Sequence, residues 1–462
     1  MATPRGRSWP ESRCSTSRPS SWVARSTRSP SGSARSMPYI SPRWTISEGA
    51  VGERLGPRAR IALAFPRDPT LTPSPMALAV FWSMVGLLVY VYAGYPCLVF
   101  VLARLRPRPV RKGPELPTVS FIIAAYNEEA SIAAKLQNTL ALDYPPEKLE
   151  IIVASDGSTD RTDAIVREKF GDRVTLLAAG RQGKTIAQNR AVAEVATGEI
   201  IVFSDATTVY RPPSLRALVA NFADPEVGLV TGSVIHGQEV NAAVVKGRAA
   251  YWSYESFLRR HESRFHSILG AAGCCHALRR RLYTPLAPDL IGDVVQTVKV
   301  VQQGYRAVVE DDAVVYEPAE STTIREELER RARVIARGLR GKWYLRDFFN
   351  PLRHPWFCLQ VLSHRLLRWS VPLFLLMLFV ANAALLDRPP FRAVFGAQLA
   401  FYGLAALGWA LERRQLSPPG LTVPFYFCVI NLAPLLAVRS LLRGERKATW
   451  ETARTEPGPA RG

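Results

Sequence analysis

The sequence has few of the residues that build metal clusters or disulfide frameworks, with six cysteines and six histidines in 462 positions. Cys274 and Cys275 are adjacent, Cys97 and Cys428 sit in apolar runs, and Cys14 and Cys358 stand alone. No zinc-type spacing results, and a reduced compartment without disulfides is the simplest setting. His236, His261, His266 and His276 follow no ligand spacing either. The first 75 residues lack lysine and any apolar periodicity; twelve Arg stand there against four acidic residues, which supplies eight of the twenty net positive charges. Rich in Ser, Pro and Arg, this stretch reads as a disordered arm, neither secretory signal nor transit helix, with Met76 as an alternative start. The sequence pI is about 10.1, yet the charge gathers in that arm and beside the apolar runs. No DNA- or RNA-reading motif accompanies it, which argues against a nucleic-acid partner.

Four stretches lack charge altogether: Met76–Ala103, Trp369–Leu386, Ala393–Leu411 and Leu421–Val438. Each approaches the roughly 17–25 residues that cross a bilayer as a helix, and none shows the polar face that a soluble helix keeps. Arg104, Arg106, Arg108, Arg111 and Lys112 follow the first run, and Arg353, Arg365 and Arg368 precede the second. Basic flanks mark the cytoplasmic side, so residues 104–368 are expected to face the cytoplasm. Three further crossings would carry the tail outside, against the pull of Arg439, Arg443, Arg446 and Lys447. The expected order is an arm over 1–75, a transmembrane helix over 76–105, a soluble domain over 106–345 and an interfacial helix over 346–368. Three transmembrane helices over 369–442 and a disordered tail over 443–462 complete it.

Within the soluble domain, short apolar runs alternate with helical spacing. Thr118–Ala125, Leu149–Ala154, Val174–Ala178 and Glu199–Ser204 read as buried parallel strands. Glu129–Leu140, Asp160–Phe170 and Thr185–Ala196 read as the helices between them. That order predicts an α/β domain with a Rossmann-like, mostly parallel sheet, whose ligands bind at the carboxyl ends of the strands. Those ends read Tyr126-Asn127-Glu128-Glu129, Ser155-Asp156-Gly157-Ser158-Thr159-Asp160 and Asp205-Ala206-Thr207-Thr208. One such Asp is commonly a helix cap or turn residue, but three acidic strand ends together mark a site.

Further motifs follow in order: Gly183-Lys184 with Asn189, Gly270–Arg280, Gly292-Asp293, Gly304-Tyr305-Arg306, and Arg330, Arg331 and Arg333. Over roughly 118–343 the set resembles family 2 glycosyltransferases, the group that includes cellulose, chitin, hyaluronan and poly-N-acetylglucosamine synthases. The resemblance implies a GT-A fold at a membrane, in a bacterial inner membrane with the catalytic domain cytoplasmic. It also implies direct, inverting transfer from a nucleotide sugar, expected to be a UDP-sugar, to a glycan or lipid-linked acceptor. Asn127, Glu128, Asp156, Lys184, Asp205 and Arg333 would then hold the nucleotide sugar. Asp205 would reach the diphosphate through Mg²⁺ or Mn²⁺, and Lys184 and Arg333 would add fixed positive charge. Asp293 would be the catalytic base on the acceptor hydroxyl, with Gly273 and Arg330 on the acceptor side.

Three departures from the family pattern bear on substrate and product. Thr207 takes the place of the second Asp of D-x-D, Gly292-Asp293 is a reduced acidic pair, and the Q-x-x-R-W element has Arg330 and Val334 for its Gln and Trp. Without that Trp the expected product is short, unless Trp343 supplies the aromatic contact. Single-sugar transfer to a polyprenyl phosphate or other lipid is the alternative enzyme, and an inactive membrane scaffold of a polysaccharide-export complex is the alternative of another class. Tyr251-Trp252-Ser253-Tyr254 with Phe257 fits either an aromatic sugar platform or a buried helix face. His354–Arg368 has the aromatic and basic mixture of an interfacial helix.

Overall fold

The computed structural model describes residues 74–237, 242–317, 324–340, 350–414, 416 and 419–444. The expected arm, except for its last two residues, the tail from residue 445 and Trp343 lie outside them.

Eight strands form one mixed sheet in the order β3-β2-β1-β4-β7-β6-β8-β5. They are β1 Val119–Ala125, β2 Leu149–Asp156, β3 Thr175–Ala179, β4 Ile200–Asp205, β5 Val209–Tyr210, β6 Val227–His236, β7 Cys275–Arg279 and β8 Arg306–Glu317. The first four pair in parallel, β7 runs antiparallel to β4 and β6, and β8 is parallel to β6 but antiparallel to β5. The parallel half is the α/β sheet expected from the apolar runs; the second half makes the whole sheet mixed. Strand β1 is buried along its whole length because helices cover both faces. Phe121 and Ile123 pack on one face with Ile132, Leu136, Val166 and Leu215. Ile122 packs on the other with Ala187, Ala191, Val298 and Phe357. The alternation follows from the two-residue period of a strand.

Register levels the functional strand ends. Ala125 lies opposite Ser155, Ala124 opposite Asp205, and Asp156 opposite Ala179. The chain leaves these strands at one edge of the sheet and enters the helices Ile132–Leu140, Thr162–Phe170 and Lys184–Glu194.

Three helices are long and apolar enough to cross a membrane: Pro75–Leu105, Pro389–Glu412 and Val423–Leu442. A fourth crossing results if Pro355–Leu367 and Val371–Ala383, which meet at 58°, count as one. The expected interfacial segment is thus a helix docked on the domain, with Phe357 buried in the second core and Gln360 donating to the Ser267 carbonyl at 2.9 Å. It continues as a π-turn over Val361–Leu367, and a second π-turn, Tyr90–Gly94, interrupts the first apolar helix. The two meet where the Tyr90 and Ser363 hydroxyls hydrogen-bond at 2.8 Å.

Candidate active site

At the end of β2, Asp156 is 1% exposed and its carboxylate is fully engaged. It accepts from the Gln182 N–H at 2.7 Å and the Gly183 N–H at 2.8 Å, and it pairs with Arg181 at 3.2 Å. Gly183, at φ 99°, adopts a backbone shape that a side chain would resist, and so aims its N–H at the acid. Gly157, at φ 74°, lets the 181 backbone close in, since a Cβ there would lie 2.7 Å from the Arg181 nitrogen. Asn127, itself at φ 51°, accepts from the Thr159 N–H at 2.8 Å, while the Glu128 N–H donates to Thr162 Oγ1 at 2.7 Å. Asn127 and Glu128 therefore clamp the β1 and β2 exits together.

Asp205, at the end of β4, forms an ion pair with Lys184 at the start of the Lys184–Glu194 helix. Burial works against the Lys184 charge, but Asp205 and, further off, Asp293 outweigh it and raise its pKa. The same helix is tied to the loop before Asp293: Thr185 Oγ1 donates to the Leu290 carbonyl at 3.2 Å, and Asn189 binds both backbone groups of Leu286. Lys135 reaches the 205–208 turn from the opposite side and donates to the Thr208 carbonyl at 2.7 Å. Its ammonium sits over the Tyr210 and Phe121 rings and is only 2% exposed. Burial lowers its pKa to about 7.

Asp293 is the second residue of the helix Gly292–Gln302, where an acid suits the positive end of the helix dipole. It accepts from the Val294 N–H at 2.9 Å. Gly273 makes room for it, since a Cβ at that position would stand 3.2 Å from Asp293 Oδ2. Arg337 donates to the Leu290 carbonyl at 2.9 Å, and its charge is coupled to that of Asp293. Arg333, the residue expected at the diphosphate, is exposed. Arg330 is ion-paired with Glu327 at 3.1 Å. Asp293, Arg330 and Val334 all line a cavity of about 480 Å³ that is walled by Tyr426, Phe427 and Ile430 of the C-terminal helix. Trp252 and Tyr254 also line it, whereas Phe257 packs against Phe100 and His261.

Sequence reasoning missed Lys135, Arg259 and Arg365 as site residues. The sequence spacing already places Arg337 on one helix face with Arg333, as a second candidate for phosphate; a lysine inside an amphipathic helix gave no signal. Among the described residues no group of three or more His, Cys, Asp or Glu could hold a metal ion. His261 and His276 bind backbone carbonyls instead, at 2.7 and 2.8 Å.

Comparison with known proteins bears on the fold and the family. Residues 120–285 match Glycosyl transferase family 2. A stretch of 162 residues is 29% identical to poly-beta-1,6-N-acetyl-D-glucosamine synthase of Staphylococcus aureus, covering 34% of this chain and 37% of that one. Another of 180 residues is 32% identical to beta-monoglucosyldiacylglycerol synthase of Nostoc sp., covering 38% and 36%. The chain thus matches little over a third of the length of these curated relatives. Among solved structures it resembles a mannosyltransferase of Pyrobaculum calidifontis, solved with GDP-Man and Mn²⁺, at 25% identity and a TM-score of 0.59 over 80% of this chain and 99% of that one. The sheet, its ordered strand ends and the sequence match together identify residues 120–285 as a family 2 glycosyl transferase domain with a GT-A fold.

Proposed function

We propose that this chain is an inverting glycosyltransferase that moves a sugar from a nucleotide sugar to a hydroxyl of an acceptor at a membrane. The observation that carries the reading is the position of Asp293. The loop leading to it is tied to the Lys184–Glu194 helix on the donor side through Thr185 and Asn189, and it lines a cavity running to the apolar C-terminal helix. In this reading donor and acceptor meet at that carboxylate.

In this reading a UDP-sugar lies across the ends of β1, β2 and β4. Asp156 orders the 181–183 loop that borders the nucleotide, and Asn127 and Glu128 hold the opposite rim. Lys184 neutralises charge on the diphosphate. The donor set for a metal is one carboxylate, Asp205, with Thr207 beside it. That fits a Mg²⁺ or Mn²⁺ ion that takes most of its ligands from phosphate and water. Bound there, the ion would stabilise the departing diphosphate. Asp293 takes the proton as the acceptor oxygen attacks the anomeric carbon and the nucleoside diphosphate leaves. A base is needed because a sugar or glycerol hydroxyl is neutral at physiological pH, whereas a phosphate oxygen is already ionised and needs none. The acid at this position therefore favours a hydroxyl nucleophile over direct attack by a lipid phosphate.

The test is a screen of UDP-sugars and GDP-mannose with purified protein in detergent, reading nucleoside diphosphate release with and without Asp293→Asn. The variant should lose about 10²–10⁴-fold in turnover and keep donor binding. Equal loss of both would reassign Asp293 to substrate positioning.

A further inference from the structure

The cavity that reaches Asp293 is unusually cationic for one walled by apolar helices. Five arginines line it, Arg259, Arg330, Arg331, Arg365 and Arg368, against two carboxylates, Glu255 and Asp293. Three of the five are neutralised locally. Arg330 and Arg331 share Glu327 at 3.1 and 2.6 Å, and Arg368 pairs with Glu255 at 3.3 Å. Glu255 also faces His364, which bridges to Glu262.

Arg259 and Arg365 are left over. Arg259 donates to the Gly270 carbonyl at 3.2 Å, while its Nε is buried with no hydrogen-bond partner. Arg365 makes no hydrogen bond or ion pair among the described residues. Its Nη2 lies 3.3 Å from where a Gly270 Cβ would stand, so the absence of a side chain there gives the Arg365 guanidinium room. Burial presses hardest against the charge of Arg259; Glu255 supports it, and the Arg365 charge opposes it in turn. Two adjacent, partly buried cations that share the field of Glu255, itself already paired with His364 and Arg368, still gain from an anion that completes the site. The donor diphosphate is not that anion, because Lys184 and Asp205 do not line this cavity. Arg365 sits on the π-turn Val361–Leu367, a type of helix irregularity frequent at functional sites.

We propose that the cavity binds a phosphate-bearing lipid, its phosphate held by Arg259 and Arg365 and its chain lying along Val423, Phe427 and Ile430. Planar guanidinium pairs suit phosphate oxygens. Basic pockets beside membrane helices suit headgroups. The inference rests on the membrane glycosyltransferase reading and names its acceptor class. The phosphate is a handle, and the attacking hydroxyl belongs to the group it carries past Gly270 to Asp293.

The experiment measures saturable binding of radiolabelled farnesyl phosphate to the full chain in phosphatidylcholine nanodiscs, independently of any sugar transfer. Unlabelled farnesyl phosphate should displace the probe; farnesol or inorganic phosphate at the same concentration should not. Arg365→Gln should weaken binding by about tenfold or more, the loss of one charge-assisted phosphate contact. Arg365→Lys should restore part of it, and UDP binding should be unchanged in both. Displacement by farnesol would leave only an apolar groove, and displacement by inorganic phosphate only a free-anion site. Either result, or unchanged binding in Arg365→Gln, overturns the proposal. If farnesyl phosphate binds as expected but no nucleotide sugar is ever consumed, the enzyme reading falls and the lipid site stands. Sugar transfer without farnesyl phosphate binding keeps the enzyme and removes the lipid site.

Discussion

Asp205 faces Lys184 directly, and Thr207 stands two residues on, where a second carboxylate would otherwise serve a cation. A hard divalent ion gains most from charged oxygens, so this arrangement should hold it weakly without the diphosphate. Chelator should abolish turnover in the purified protein, and Asp205→Ala should do the same in excess Mn²⁺. Thr207→Asp should lower the metal concentration needed for half-maximal rate. A metal titration of the three proteins measures this, and full activity of Asp205→Ala in chelator would exclude Asp205 from any metal role. Arg333 and Arg337 are distinguishable on the same scale. Arg337 contacts the loop before Asp293, whereas Arg333 is exposed. Arg337→Ala should therefore cost more turnover than Arg333→Ala.

The helix Ile132–Leu140 staples the 205–208 turn, where the metal is proposed to bind, through two polar side chains. Lys135 binds the Thr208 carbonyl, and Asn138 binds both backbone groups of Tyr210 at 2.9 Å. Lys135 has a titration consequence. Its folded pKa is lowered by burial to about 7, below the unfolded value of roughly 10.4. Between those pH values the unfolded chain binds more protons, so this group makes stability rise with pH across roughly 7–10. In Lys135→Met that rise should vanish, and apparent metal affinity should fall as the turn loosens. Thermal unfolding at several pH values checks the first effect; an unaltered pH slope would mean that Lys135 is not buried as a cation. Lysine in a helical pattern looks like any surface lysine, which is why its role was illegible from the chain. The parallel strands were legible because burial on both faces forces continuous apolar runs, and all four predicted strands lie within two residues of the observed ones. The other half of the sheet was not. Strand β8 carries Glu310, Asp311 and Asp312 at a register shift opposite Gly232/Ser233, where the extra residues leave the ladder. Strand β7 is five residues with His and Arg among them. Arg365 read as ordinary flanking charge and Arg259 drew no reading at all, since their meeting at Gly270 depends on a helix docking that no local pattern encodes.

On the scale of the whole molecule, a buried polar chain joins the sheet domain to the apolar helices. Tyr95 donates to Glu262 at 2.5 Å, and His364 bridges Glu262 and Glu255 at 2.8 and 3.2 Å. The first apolar helix, the long helix Ala242–Phe265 and the π-turn are thereby fixed around one cavity. Its size constrains the product. The helix Ile324–Arg340 presents Val334, 42% exposed, to the cavity facing Tyr426 and Phe427. A sugar ring packs its C–H face best on a broad aromatic surface, and Val offers a much smaller one. A growing glycan would have little to hold it between additions, so it should dissociate early and the product should be one sugar or a few. Sizing radiolabelled product from purified protein measures this, and a ladder reaching tens of sugars would refute it. Val334→Trp restores a stacking surface at the cavity wall and should shift the distribution upward without changing the rate of nucleoside diphosphate release several-fold. If the variant's product stays the same length, the brake on elongation lies in the narrowness of the cavity rather than in the missing aromatic face. Replacing Tyr426 with Ala would then widen the cavity and should lengthen the product in its place.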